Sequence, residues 1–384
     1  MLASYRIIPK YISARPQTPD HTIAMFAEGA SNDFLWFRLR QLADVPEVGI
    51  AQFSGTLAER RATYRDFRGF VRQARTYWDA GSSTNGSAAA LPYYYGALQL
   101  AKAELLQAYP TQIQGGAINH GLRKIRNATT SIRGDYLEVT SGVFPLLYEK
   151  RTGKSLPIGT RLKAMNLLSL IPEIGMEMST LGPTRPSSVP GYYALALNDD
   201  EAWSVVFFLH DPTSDIRERT TKLFLRAYEQ VEVNEVPNWR EIFSLSSRTF
   251  GGSAKLFQSR QTMTRSASDG TQYPDTNGAI SQLVGALGHH VRPSGRDRAD
   301  FMLTPTVAKS DPLVMPLDLV RYACMFYLSS LVRYSPSALD PITAAGQAYL
   351  MDSFVNEVPL ELLKGALDGI SGKYSYFEPG NMRL

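Results

Sequence analysis

The chain has 384 residues, 44% hydrophobic and 20% charged, which is enough for two ordinary domains or one large domain with insertions. No apolar run approaches the roughly 18 residues of a membrane span, and the opening Met1 to Arg6 lacks the apolar core of a secretory signal, so a cytoplasmic protein without a membrane partner is expected. The net charge is +4, and the single cysteine, Cys324, lies in an apolar stretch where it reads as a small core residue, which excludes disulfides within the chain and cysteine-rich metal sites.

The charge is unevenly placed. Residues 1 to 160 hold 19 Lys and Arg against 12 Asp and Glu, whereas residues 161 to 384 hold 21 against 24. Arginine outnumbers lysine 29 to 11, and its planar fork suits bidentate contact with phosphate or carboxylate.

In chain order, the first strong element is a helix from Thr56 to Trp78, with Thr56 as N-cap and Glu59 three residues later as its capping-box partner. Leu57, Tyr64, Phe67, Val71, Ala74 and Trp78 form its apolar seam. Beside that seam run Arg61, Arg65, Arg68, Arg72 and Arg75, spaced four, three, four and three. At about 100° and 1.5 Å per residue they occupy an arc of roughly 80° and a length of roughly 21 Å, a surface suited to anions. The turn-rich Gly81 to Ser87 ends this element, and a second helix is expected from Pro92 to Tyr109.

Tyr136 to Thr140 alternates as a strand does, and Thr160 to Ile171 is expected to be a helix capped by Thr160. Tyr192 to Leu197 and Trp203 to Leu209 are expected as a β-hairpin around Asn198 to Glu201. Ser244 to Asn277, with Arg248, Lys255, Arg260 and Arg265, is expected as a basic mobile loop. Helices are expected at Pro316 to Tyr334, Ile342 to Val355 and Leu360 to Ile370, the last two each opened by a proline, with a flexible tail from Ser371. The fold class is mainly α (α+β): a helical bundle with an inserted small antiparallel β element. Residues 1 to 180 form a basic helical region, 181 to 310 the hairpin insertion and basic loop, and 311 to 384 helices that pack back on the first region.

Several apparent motifs fail. Gly153-Lys154-Ser155 ends like a phosphate-binding loop, but the earlier glycine that loop needs is replaced by Tyr148. Arg15 and His21 have the layout of some helical ribonucleases, yet Pro16 and Pro19 interrupt any helix between them. Adjacent His289 and His290, with Asp297 and Asp300, lack helical ligand spacing and read as a solvated basic turn with Arg292, Arg296 and Arg298, so no metal is expected. There is no nucleophile elbow and no glycine fingerprint after a strand, and no cofactor is expected.

At Pro92-Tyr-Tyr-Tyr-Gly-Ala-Leu-Gln-Leu-Ala-Lys-Ala103, His120-Gly-Leu122, Gly142-Val-Phe144 and Leu328-Ser-Ser-Leu-Val-Arg-Tyr-Ser-Pro336, the chain resembles the bacterial YaaC-like family. These blocks are scattered over roughly residues 70 to 370 and appear in the family's order. The resemblance implies a cytosolic, mainly helical bacterial protein and brings no catalytic residues with it. The first 50 residues and the Ser244 to Asn277 loop lie outside the matching blocks.

His120 sits in Asn119-His120-Gly121, with Arg123, Lys124, Arg126 and Arg133 following. Its imidazole either contacts a phosphate and moves a proton, or hydrogen-bonds backbone at the turn. Lys102 and Tyr95 are likewise either binding groups or the polar edge of a packed face. The leading expectation is a polyanion-binding protein, with nucleic acid the first partner, using Arg61, Arg65, Arg68, Arg72 and Arg75 helped by Arg123, Lys124 and Arg126. The bland counterpart pairs those arginines with Asp199 to Glu201 or Glu229 to Glu235, within the chain or across a homo-oligomer. The rivals are an effector enzyme acting on a nucleotide or nucleic acid, as in antiviral defence, with His120 as the candidate catalytic group beside Glu104 or Asp135, and a scaffold that binds a protein partner.

Overall fold

The computed structural model describes residues 2–6, 23–26, 31–114, 118–125, 132–181, 189–198, 202–209, 228–231, 255–260, 263–264, 289–293, 301–305, 315–372 and 374–377. They divide into two compact units, one made of Met1–Asp20 with Pro186–Val314 and the other of His21–Arg185 with Met315–Leu384. The fold is mainly α, with antiparallel β structure.

The first unit holds an eight-stranded sheet. Its main path runs β11 (His289–Pro293), β12 (Phe301–Pro305), β6 (Val189–Asn198), β7 (Ala202–Leu209), β9 (Lys255–Ser259) and β8 (Tyr228–Val231). The expected hairpin is its centre, with Gly191 opposite Leu209 and Leu197 opposite Trp203. β1 (Leu2–Arg6) joins the free end of β6, which draws the N-terminus into this unit, and β10 (Met263–Thr264) joins β7. Two expectations are corrected here. Residues 255–259 are strand and not loop, because β7 offers them an unpaired edge, and His289 and His290 lie in a strand paired with Thr304 and Pro305 and not in a turn. The rest of the Ser244 to Asn277 stretch, apart from 260 and 263–264, lies outside the described residues, as do Arg15, His21, Arg296, Asp297, Arg298 and Asp300.

In the second unit, the helices before the sheet are α1 (Asn32–Asp44), α2 (Pro46–Ile50), α3 (Leu57–Ser82), α4 (Ala90–Leu105), α5 (Pro110–Ile113), α6 (Val143–Thr152), α7 (Ala164–Leu168) and α8 (Gly175–Leu181). After it come α9 (Leu317–Tyr334) and α10 (Ala345–Ser371). α4 is the hub. It packs on α3, α6, α9 and α10 and is buried on nearly every side, as its mostly apolar sequence requires. α9 is buried from Leu317 to Leu331, with Cys324 in the core.

α3 begins as its sequence dictates. Thr56 Oγ1 accepts from the Glu59 amide at 3.3 Å, and the Glu59 carboxylate accepts from the Thr56 amide at 2.8 Å. Thr56→Ala is expected to cost about 1 kcal/mol of stability, measured as a lowered denaturation midpoint with an unchanged slope.

Three further expectations are corrected. Arg161–Lys163 is a strand (β5) on β4 (Tyr136–Gly142), and only Ala164–Leu168 is helical, because the Thr160 carbonyl is taken by Val139. Pro359 opens no helix but sits buried inside the continuous α10, whose packing outweighs the roughly 3 kcal/mol that an internal proline costs a helix. The tail is not wholly loose, since β13 (Tyr374–Phe377) pairs in parallel with β2 (Ile23–Phe26).

Candidate functional site

α1 lays its buried residues Leu35, Trp36, Leu39 and Ala43 against α3. Trp36 meets Trp78 edge to face at 5.9 Å, and the Tyr64 hydroxyl donates to the Ala43 carbonyl at 2.6 Å. Those contacts fix α1 beside the arginine face and leave a cleft of about 520 Å³, lined by Asp33, Trp36, Phe37, Arg40, Asp44, Arg72 and Arg75 among others.

The five ladder arginines divide. Arg61 and Arg65 are exposed, and among the described residues neither meets a carboxylate. Arg68 and Arg72 converge on Asp44 at 3.4 and 3.0 Å, joined from α1 by Arg40 at 3.5 Å. Arg75 bridges to Asp79 at 2.9 Å and lies over the Trp36 ring at 5.2 Å. Partial burial alone would raise the Asp44 pKa, but the hydrogen bonds and charge of Arg72, with Arg68 and Arg40, outweigh it and hold the carboxyl below its usual range. Phe37 remains 63% exposed at the cleft.

Among the described residues, the acids that meet the ladder are therefore Asp44 on the adjoining helix and Asp79 on α3 itself, while Asp199 to Glu201, Glu232 and Glu235 lie outside the described residues. Glu229, in the β unit, is bridged by Arg260 at 3.6 Å. Asp44, Arg40 and Phe37 were not singled out from sequence. Their signal was readable in part: Ser31 caps α1, accepting from the Phe34 amide at 3.2 Å, and Leu35, Leu39 and Ala43 recur at helical spacing.

The other expected binding residues stand elsewhere. Arg123 pairs with Glu138 across the β3 (His120–Ile125) and β4 pair. Lys124 turns inward, 3.4 Å from both Asp135 and Ser335. Arg126 lies outside the described residues.

His120 opens β3 at a bulge. Gly121 and Gly142, at φ +82° and +144°, let the strand ends close there, since a Cβ on Gly142 would stand 2.3 Å from the Asn119 carbonyl oxygen. The His120 Nδ1 and the Tyr94 hydroxyl share a hydrogen bond of 2.8 Å. Burial first, then the positive charges of Arg333 and Lys102, push its pKa down, so the ring is neutral at pH 7. The two candidate acids are engaged: Glu104 is held by Arg151 and Lys150, and Asp135 accepts from Tyr327 at 2.8 Å and faces Lys124.

Fold and site together define a mainly helical protein with an inserted antiparallel sheet and an arginine-lined cleft on its helical unit. The YaaC-like Protein family model matches residues 51–369, and the chain belongs to that family. No curated protein and no solved structure matches the chain. Among the described residues, no helix is long and apolar enough to cross a membrane, and no cluster of His, Cys, Asp or Glu could hold a metal ion.

Proposed function

We propose that this protein binds a polyanion in the cytosol, with nucleic acid the class, along the α3 arginine face and the cleft beside α1. One observation carries the reading: Arg61 and Arg65 stand exposed in line with a cleft walled by Arg40, Arg72 and Arg75. The six guanidinium groups of Arg40 and the ladder outnumber the carboxylates of Asp33, Asp44 and Asp79 two to one, so the surface keeps a net positive charge. Successive ladder arginines lie about one helical turn, roughly 5 to 6 Å, apart, which suits successive backbone phosphates. The exposed Phe37 ring offers a face on which a base can stack.

The test is fluorescence anisotropy with single- and double-stranded DNA and RNA at two salt concentrations. With about four phosphates neutralised on a duplex, affinity is expected to fall about 100-fold between roughly 50 and 200 mM salt. Failure to bind, or binding indifferent to salt, removes the reading.

A further inference from the structure

In the helical unit, buried cations are matched to carboxylates. Arg151 sits on Glu104, Arg321 on Glu173 and Asp318, and Lys124 on Asp135. Among the described residues, Lys102 and Arg333 are two of the cations that stand outside that pattern. Lys102 is 8% exposed, and among the described residues no carboxylate reaches its ammonium; the Phe70 ring lies 5.8 Å from it. Arg333 is half-buried and donates only to neutral oxygens, the Tyr95 hydroxyl at 3.2 Å and the Ser329 carbonyl at 3.4 Å. An uncompensated cation in a partly dry setting is costly unless an anion completes it.

The two converge on one place. Tyr95, Gln99 and Lys102 follow each other along one stripe of α4, at intervals of four and three residues. Arg333, in the last turn of α9, reaches Tyr95, whose ring stands 6.3 Å from the His120 imidazole, and the positive charges of Arg333 and Lys102 help to lower the imidazole pKa. Since Nδ1 is committed to Tyr94, Nε2 is the ring nitrogen left for another partner, and His120 is only half-buried. Gln99 is 7% exposed, and its Oε1 has no hydrogen-bond partner among the described residues. Tyr95, half-buried and stacked on Tyr77 at 5.4 Å, adds an aromatic wall.

We infer that Lys102, Arg333 and His120 form a second anion site, distinct from the α1–α3 cleft, that takes the phosphate of a nucleoside monophosphate. Two cations match the double charge of a phosphate monoester, and the neutral imidazole adds a hydrogen-bonding nitrogen without adding charge. Tyr95, stacked on Tyr77 and with the Arg333 guanidinium over its ring at 5.9 Å, gives the site an aromatic edge against which a nucleoside can lie, and the Gln99 oxygen accepts from a ligand hydroxyl. The inference does not rest on the polyanion reading, which uses other residues.

The experiment is calorimetric titration of the full chain with AMP, adenosine and inorganic phosphate. AMP is expected to bind and adenosine to bind far more weakly. Lys102→Met and Arg333→Gln should each weaken AMP about tenfold or more. Lys102→Met should also leave the melting temperature unchanged or raised, because it removes a buried, unmatched ammonium. If Lys102→Met fails to fold, Arg333→Gln and His120→Ala carry the same reading. No AMP binding at millimolar concentration, or unchanged affinity in the folded variants, overturns the site. Inorganic phosphate binding as tightly as AMP overturns the nucleotide assignment.

Discussion

Charge reversal at Arg65 and Arg72 together is expected to reduce polyanion affinity at low salt by on the order of 100-fold or more, and to flatten the salt dependence. Arg65 is the fully outward case, exposed as the second of the five rungs, whereas Arg72 stands at the cleft with its guanidinium 3.0 Å from Asp44. Each substitution removes a cation and adds an anion, so both lost attraction and new repulsion act on an approaching phosphate. The double variant should keep its fold, because both side chains are exposed and surface ion pairs are worth about 1 kcal/mol at most. Asp44→Asn gives the opposite expectation. It frees Arg40, Arg68 and Arg72 from their shared carboxylate and should tighten binding and steepen its salt slope. Anisotropy titrations with one oligonucleotide read both, and unchanged binding in the charge-reversed protein would place the ligand elsewhere.

Glu104→Ala is expected to cost about 3 to 5 kcal/mol, a large share of the roughly 5 to 15 kcal/mol that hold a domain together. Glu104 is 1% exposed on α4 and receives the Arg151 guanidinium through two hydrogen bonds, with Lys150 at 3.4 Å. Arg151 continues to Asp318 at 3.7 Å, and Asp318 to Arg321 at 3.2 Å, so one chain of charges ties α4, α6 and α9. Arg321 adds Glu173 and, at 3.9 Å, Glu361 on α10. The glycines of α10 make room for this network: a Cβ on Gly369 would stand 2.1 Å from a Glu104 carboxylate oxygen, and one on Gly365 2.7 Å from the Asp318 carboxyl carbon. Removing Glu104 leaves the buried Arg151 without its main partner and the half-buried Lys150 without its carboxylate. Glu104→Gln, which keeps the volume and one acceptor, should lose less. Chemical denaturation of both variants checks the order, and a Glu104→Ala protein as stable as the parent would mean that the network holds nothing.

What was legible in the sequence was what short-range chemistry decides. The capping box at Thr56 and Glu59, the seam of α3 and the β6–β7 hairpin follow from spacings of two to four residues, and the structure keeps them. The misread segments are those where distant partners choose. Arg161–Lys163 becomes a strand because Tyr136 to Glu138 pair with it, and Pro359 stays within a helix because α4 and α9 pack on α10. Residues 374–377 are ordered by a strand some 350 positions earlier in the chain.

The site divides along the same line. By itself the sequence determined that five arginines share one helical face, since a helix fixes their angles whatever surrounds it. Only the tertiary structure decided their fates: α1 brings Asp44 beneath Arg68 and Arg72 and leaves Arg61 and Arg65 to solvent. The same holds for Lys102 and Arg333, which are 231 residues apart and are brought to the same side of His120's surroundings only by the packing of α4 on α9. Charge can be counted along a chain, but whether it is matched depends on which oxygen lies within about 4 Å, and packing sets that distance.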